Sequence, residues 1–521
     1  MAQQLYFSRD TRMFVQFRNT TDNTENAADL GKGALWEIPV LDGYSFSQTT
    51  NTSEITLAEM ESTAGISRRG RRMFTDSLAP AEFSFSTYVR PFDSVGQTAI
   101  GTATEGVKGA ETGSQTGVHS IEEVLWASLA GADKYVAESS KFHFRRNVQA
   151  VSGSETSVIT PTDNESTIVF TESNRSALHS FTVFFLIDTA TSNPLVYRLP
   201  EAIINEVSID FDVDGIATLN WSGFSKEVQD VSGNVFTGTS APANSATTTD
   251  GSTIALGDIF IDTDNAAGRQ FNLVSSSAST MGVTAAIDEG TTSTKNFIRN
   301  RLTSVSIEAA VAADKATTFP GQKVTISAMD STNNVLTTAA AHGLKTGDQV
   351  FITGGTGVTS LNSTHHFVRV GDETSSYNSS ANATTEFALF TTKANAEAAS
   401  GTTGLVTFTG TYNANTATAS NGKYGLTLTG GNFTIGNNIT YLVPEELGAI
   451  NKPLEHVTGT RSATGTATCY LTLEDSDLSS GTSRQFFNDL VSTGAMSQVV
   501  NKFKVTMDIG GSTAATSGSN D

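Results

Sequence analysis

The sequence predicts a mainly β protein: two tandem β-sandwich or barrel domains, each with a short flanking helix, and a small β-barrel domain inserted in the second. Three observations carry this. Apolar and polar residues alternate in run after run. Charged residues make up only 16% of the chain while 45 glycines supply turns. The main strand patterns occur twice. At 521 residues the chain is also too long for one compact core.

In chain order, "EFSFSTYVR" sets Phe83, Phe85, Thr87 and Val89 against Ser84, Ser86, Tyr88 and Arg90, the period of a half-buried strand. "SIEEVLWASLAG" reads as a helix, with Ser120 and Glu123 as a capping box and Gly131 as its stop. "FTVFFLID" is almost continuously apolar, so both its faces should be covered. "NEVSIDFDVDG" places Val207, Ile209, Phe211 and Val213 on one face, with Asp210, Asp212 and Asp214 on the other. "TSRQFFNDLV" predicts a second helix, capped by Thr482 and Gln485, whose apolar side is Phe486, Phe487, Leu490 and Val491.

The repeat is read from three matches. "INEVSIDFDVDG" pairs with "RLTSVSIEAAV", so that Asp210 matches Glu308. "APAEFSFSTYVR" pairs with "RSATGTATCYLTLE", and "SFTVFFLID" with "NKFKVTMDIG". The resulting division is residues 1–229 for the first domain, 230–253 for a polar linker or extended loop, and 254–318 with 413–510 for a split second domain. Residues 319–412 form the insertion and 511–521 a disordered tail.

Chemistry is sparse. The single cysteine, Cys469, excludes an internal disulfide, and its strand "TATCYLTLE" suggests a buried apolar position. His365 and His366 are neighbours on a strand and point to opposite faces, which suits shared metal ligation poorly. "TGGTGV" lacks the ending of a phosphate loop. The expectation is no enzyme, no metal and no cofactor. The N-terminus shows no secretion-signal pattern, and no run of about 20 apolar residues could span a bilayer, so no membrane partner is expected.

The net charge of −21 argues against generic DNA affinity, because each phosphate contact draws on Lys or Arg. It suits a surface that must not hold DNA. Against this background Arg68, Arg69, Arg71 and Arg72 stand out. They read either as a solvated basic turn or as a socket for acidic groups on a neighbouring subunit, with Glu445 and Glu446 as candidate targets.

Several stretches together resemble the tail tube proteins of long-tailed bacteriophages. They are "LWEIPVLDGYSFSQTTNTSEITL", "LAPAEFSFSTYVRPF", "VSIDFDVDGIATLNWSGF" and "NFTIGNNITYLVPEELGAINKPLEHVTGTRSATGTATCYLTLED". The segment from Val324 to Phe390 is similar to a small β-barrel module of phage structural proteins, and to the first catalytic-cysteine half-domain of ubiquitin-activating enzymes. It has no cysteine, so only the fold is implied. The tail-tube resemblance implies a structural virion protein, assembled in the host cytoplasm into stacked rings around a channel for DNA ejection. A tape-measure protein and viral DNA would pass through the lumen without tight binding, and a tail sheath is a further partner where the tail contracts. Six tube domains per ring in that family imply three copies of a doubled chain, with a hexamer as the alternative. Asp210, Asp212, Asp214 and Glu308 are the lumen candidates, an outward solvated face being the other reading. The competing function is a tail-tip, baseplate or fibre-like adhesin that binds host surface glycans.

Overall fold

The computed structural model describes residues 10–17, 34–57, 70–89, 91–93, 118–120, 122–136, 141–145, 158–159, 178, 180–187, 194–212, 214–239, 246–255, 257–263, 270–274, 281–284, 303–356, 358–362, 364–370, 384–398, 401–410, 412, 417–444, 452–472 and 481–508. The fold is mainly β. The first half contains strands β1 (Thr11–Phe17), β2 (Ala34–Ile38), β3 (Ser45–Ser47), β4 (Thr50–Leu57), β5 (Gly70–Leu78) and β6 (Ala81–Tyr88). Helix α1 (Glu123–Ala130) follows, then β7 (Phe181–Ile187), β8 (Leu195–Asp212) and β9 (Thr218–Ser225). Antiparallel pairing runs β2-β1-β7-β8-β9-β6-β3.

Strand β8 is the corner of this half. Its first part pairs with β7 and its second part with β9. Against β7, Val183 meets Leu199 and Phe181 meets Ala202, so that Pro200 and Glu201 together oppose the single Thr182. Pro200 has no N–H to give to the ladder, and Glu201 takes a φ of 49°, so the strand bends there and enters a second layer. Between the layers lie Met13, Val15, Phe181, Val183 and Phe185 from one side and Phe83, Phe85, Val207, Leu219 and Trp221 from the other. Helix α1 adds Val124, Leu125, Ala127 and Leu129 to the same core, and Trp126 meets the Trp221 ring edge-on at 5.1 Å.

The outer face of β7 is covered as well. Phe14, Phe184, Leu186 and Val196 pack against Ile259, Ile261, Phe271 and Leu273 of a four-stranded sheet. That sheet is formed by Val235–Gly238, Ile259–Asp262, Gln270–Val274 and Met281–Thr284. The continuous apolar run of β7 is thereby explained. Within residues 230–253, read as a polar linker, Val235–Gly238 is a paired strand, because its Val235 and Phe236 each reach a core.

Two local expectations are corrected. Ser120 and Glu123 form no capping box: Ser120 sits in a short strand opposite Pro91, and the helix begins with Glu122 as N-cap and no side-chain cap bond. The Gly131 stop does form, with a φ of 98° and its N–H on the Ala127 carbonyl. Cys469 is exposed, not buried, because its whole strand is an edge with both faces open.

The second half contains β10 (Ser304–Ala309), β11 (Lys423–Leu426), β12 (Leu428–Gly436), β13 (Thr440–Leu442), β14 (Glu455–Val457) and β15 (Ser462–Cys469). Helices α2 (Ser483–Leu490) and α3 (Thr493–Met496) and strand β16 (Phe503–Asp508) complete it. Its pairings repeat those of the first half in the same chain order. β10 pairs with β11 and β16 as β1 pairs with β2 and β7, and β12 pairs with β15 as β3 pairs with β6. The hairpins β4–β5 and β13–β14 occupy matching places. Two of the sequence matches coincide with this pattern, β6 with β15 and β7 with β16. The third does not: β10 takes the place of β1, not of β8. Short alternating strands look alike in sequence, and only their partners separate them.

Between β10 and β11, which are direct neighbours, the chain leaves to form a closed six-stranded barrel spanning Lys323–Asp330 to Thr418–Ser420. Its core includes Ile326, Leu336, Val350, Ile352, Val368, Phe387 and Leu389. The barrel's last strand runs past residue 412, the expected end of the insertion.

Candidate functional site

The most distinctive surface is the solvent face of the sheet that joins the halves. β12 of the second half pairs antiparallel with the far part of β8, so the order β3-β6-β9-β8-β12-β15 is continuous. Register fixes the rows across it. Ser84, Ser222, Glu206 and Gly436 lie in one row; Ser86, Asn220, Ser208, Thr434 and Thr464 in the next; Tyr88, Thr218, Asp210, Asn432 and Thr466 in a third. Among the described residues of these rows there is no Lys or Arg.

The face is cross-linked by side chains. The Ser86 hydroxyl donates to Asn220 Oδ1 at 2.7 Å, and Asn220 Nδ2 donates to Asp210 Oδ2 at 3.0 Å. Asn432 Nδ2 donates to the other Asp210 oxygen, and the Thr434 hydroxyl donates to Asn432 Oδ1 at 3.0 Å. Asp210 is thus the hub of a chain over four strands, holding a first-half and a second-half amide at once. Asp212 and Asp214 are exposed at the end of β8 and in the turn after it. Sequence reasoning found the aspartates and missed the asparagines. The available signal was Asn220 alternating with Leu219 and Trp221 in β9.

Glu308 is not on this face. It lies on β10, in the separate sheet β11-β10-β16, and is ion-paired with the buried Lys315 Nζ. The match that joined it to Asp210 is the one that chain order overturns. Arg68, Arg69, Glu445 and Glu446 lie outside the described residues. The backbones of Arg71 and Arg72 are in β5, opposite Thr56 and Ile55.

A second contact between the halves was not foreseen. Arg461, just before β15, donates from Nε to Asn437 Oδ1 at 2.8 Å and from Nη2 to the Leu129 carbonyl at 3.0 Å. Asn437 Nδ2 also reaches the Leu129 carbonyl, at 3.1 Å, and the Ile204 carbonyl at 3.2 Å. Helix α1 has no basic residue in its own last turn. A second-half guanidinium therefore sits at its carbonyl end, where the helix dipole favours positive charge.

No group of three or more His, Cys, Asp or Glu side chains among the described residues could hold a metal ion. His366 is buried with its Nε2 2.7 Å from the Thr364 hydroxyl, and the His365 ring stacks obliquely on Phe351 at 4.9 Å. No helix among the described residues is long and apolar enough to cross a membrane.

Over 91 residues the chain is 40% identical to "Tail tube protein pb6" of Escherichia phage T5. That stretch is related to tail tube sequence. It spans 18% of this chain and 18% of the phage protein. Among solved structures, the tube-containing assemblies of an extracellular contractile injection system are similar. A chain of the "PVC sheath-tube complex in extended state" aligns at 9% identity with a TM-score of 0.19, over 42% of this chain and 86% of that one. A chain of the "PVC sheath/tube terminator in extended state" aligns at 9% identity with a TM-score of 0.18, over 42% and 91%. No family model matches the chain.

Proposed function

We propose that the protein is a structural component of a phage tail, whose copies close into rings that stack as the tail tube. The observation that carries this is the continuous sheet through both halves. One of its faces is buried under α1, and the other is a cross-linked field of Ser, Thr, Asn and Asp. The 91 residues similar to a phage tail tube protein support a tail context for the chain. DNA carries a charge about every 1.7 Å, and a bore of small neutral and acidic side chains offers it no cation to hold. Asp210, Asp212 and Asp214 then line the channel for DNA and a tape-measure protein.

The remaining parts follow from that orientation. The two halves act as two tube-type domains, so three chains complete a pseudo-sixfold ring. The barrel spanning Lys323–Asp330 to Thr418–Ser420 projects outward, where a sheath would also lie. Hairpins β4–β5 and β13–β14 carry exposed Met73, Phe74, Leu442, Leu454 and Val457 and serve as contact arms between subunits. The arginine loop and Glu445–Glu446 add charge pairing there. Electron microscopy of the purified full chain tests the reading. Hollow rings or tubes are the expected outcome; isolated particles at all concentrations and salt levels would refute it.

A further inference from the structure

The first half holds α1 by burying it: Val124, Leu125, Ala127 and Leu129 all lie in the main core. Helix α2 of the second half is held differently. It leaves Phe487 and Val491 exposed, while Phe486 packs against Tyr424 and Phe503 at ring distances of 5.1 and 5.4 Å. Polar bonds then tie α2 to the segment by which the chain enters the barrel. The Tyr424 hydroxyl donates to Asp489 Oδ2 of α2 at 2.6 Å and accepts the Gly321 N–H at 3.1 Å. Gln485 Nε2 of α2 donates to the Gly321 carbonyl at 2.7 Å. Both backbone polar groups of Gly321 therefore hold α2, one directly and one through Tyr424. Gly321 takes a φ of 59°, and a Cβ there would lie 2.2 Å from the Lys423 nitrogen, so glycine is what lets the backbone come this close.

The same segment is braced to the barrel. Residues 320–322 lead out of the second half and residues 421–423 lead back, side by side. The Gly422 N–H donates to the Pro320 carbonyl at 2.9 Å, and the Asn421 N–H to the Gln322 carbonyl at 3.2 Å. Asn421 Oδ1 accepts the Gln322 and Lys423 N–H groups at 3.1 and 3.0 Å. Gln322 Nε2 reaches the His342 carbonyl of the barrel at 2.8 Å. We propose that this stalk is a latch that couples the barrel to α2. The helix keeps its place only while the seated barrel holds Gly321, and a displacement of the barrel is passed on to α2. The path is an unbroken line of bonds from His342 through Gln322 and Gly321 to Gln485 and Asp489. Its members are partly or fully buried, where a polar group that loses its partner is penalised, so the bonds open together. Whatever engages the barrel on the outside thereby acts on a helix of the second half.

Hydrogen exchange of the unassembled full chain, read by mass spectrometry, tests the latch. Tyr424→Phe keeps the ring in the core and removes only the hydroxyl. Asn421→Ala loosens the stalk from the barrel side. Each should speed exchange of the α2 amides by about tenfold or more and leave those of α1 at their native rate. In Tyr424→Phe the barrel strands Gln349–Thr353 and Glu386–Phe390 should keep native protection. Asp489→Asn, whose side-chain oxygen still accepts the Tyr424 hydroxyl, should disturb α2 less than Tyr424→Phe does. Native α2 rates in both variants would overturn the proposal. Acceleration in Tyr424→Phe alone would also overturn it, since the contact would then be local packing with no link to the barrel. Equal acceleration of α1 and α2 would overturn it in favour of a general loosening.

Discussion

The two halves of this molecule run through the same pairings and end in opposite states. The first encloses Trp221, Phe85, Phe181 and Val124 in one core between two layers and a helix. Among the described residues, the second gathers a small core of Ala309, Phe319, Tyr424 and Ala495, with Phe486 and Phe503 packed at their edge. The difference lies in β8 and β9, which close the first half and which the described second half lacks. A strand pair is thus worth more than its own area: it decides whether a helix such as α1 or α2 is buried. The second half compensates by leaning on the first, through β12 on β8 and Arg461 on the end of α1.

The comparison breaks most visibly under matched truncations. Trp221→Ala should destabilise the chain by about 3–5 kcal/mol, the usual cost of emptying a buried aromatic site. Phe487→Ala, its opposite number in exposure, should change stability by less than about 0.5 kcal/mol in the unassembled chain. Denaturant unfolding of both variants checks this, and equal costs would mean that the second half is covered after all.

Arg461→Ala comes next. It strips a charged donor from the Leu129 and Ala130 carbonyls and from Asn437. A loss of about 1.5–3 kcal/mol is expected. Hydrogen exchange should show faster amide exchange in α1 than in the barrel. Uniform protection in both regions would argue that the halves are held by strand pairing alone.

A smaller effect should fall on the barrel and on hairpin β13–β14, where burial lowers His456 as well. Burial holds His342 and His366 below the usual histidine range. Because the folded value is the lower one, their contribution to stability is complete above the ordinary value near 6.5. It is lost as pH falls through that value toward the folded one. Asp348 is raised by burial and acts in the other direction, with relief as pH falls. Thermal scans should show the barrel transition weakening between about pH 7 and 5.5. His342→Gln should flatten that slope; an unchanged slope would assign it elsewhere.

Much of this fold was legible in sequence because period-two alternation fixes which residue faces inward, as Phe83 and Phe85 or Val207 and Ile209 demonstrate. The α2 cap was legible too: the Thr482 hydroxyl accepts the Gln485 N–H at 3.1 Å. What alternation does not encode is the partner. β10 resembled β8 while standing where β1 stands, and Cys469 looked buried because its strand pattern presumes a neighbour. The Asp210 hub was half legible, since the acidic positions show in one strand and the amides that hold them come from two others.

The smallest expected change is Asp210→Asn. The side chain is exposed and its replacement still accepts a hydrogen bond, so stability should shift by less than about 0.5 kcal/mol in thermal unfolding. A larger loss would make the hub a fold determinant and not a surface feature.

In the proposed tube, the polar and acidic face of the joined sheet lines the channel. Cryo-electron microscopy of the assembled full chain, averaged without imposed symmetry, tests it most directly. A hollow ring of three chains is expected, its bore walled by β6, β9, β8 and β12, with Asp210 pointing inward. Rings in which that face lies on the exterior, or in which six equivalent chains surround the bore, would contradict it.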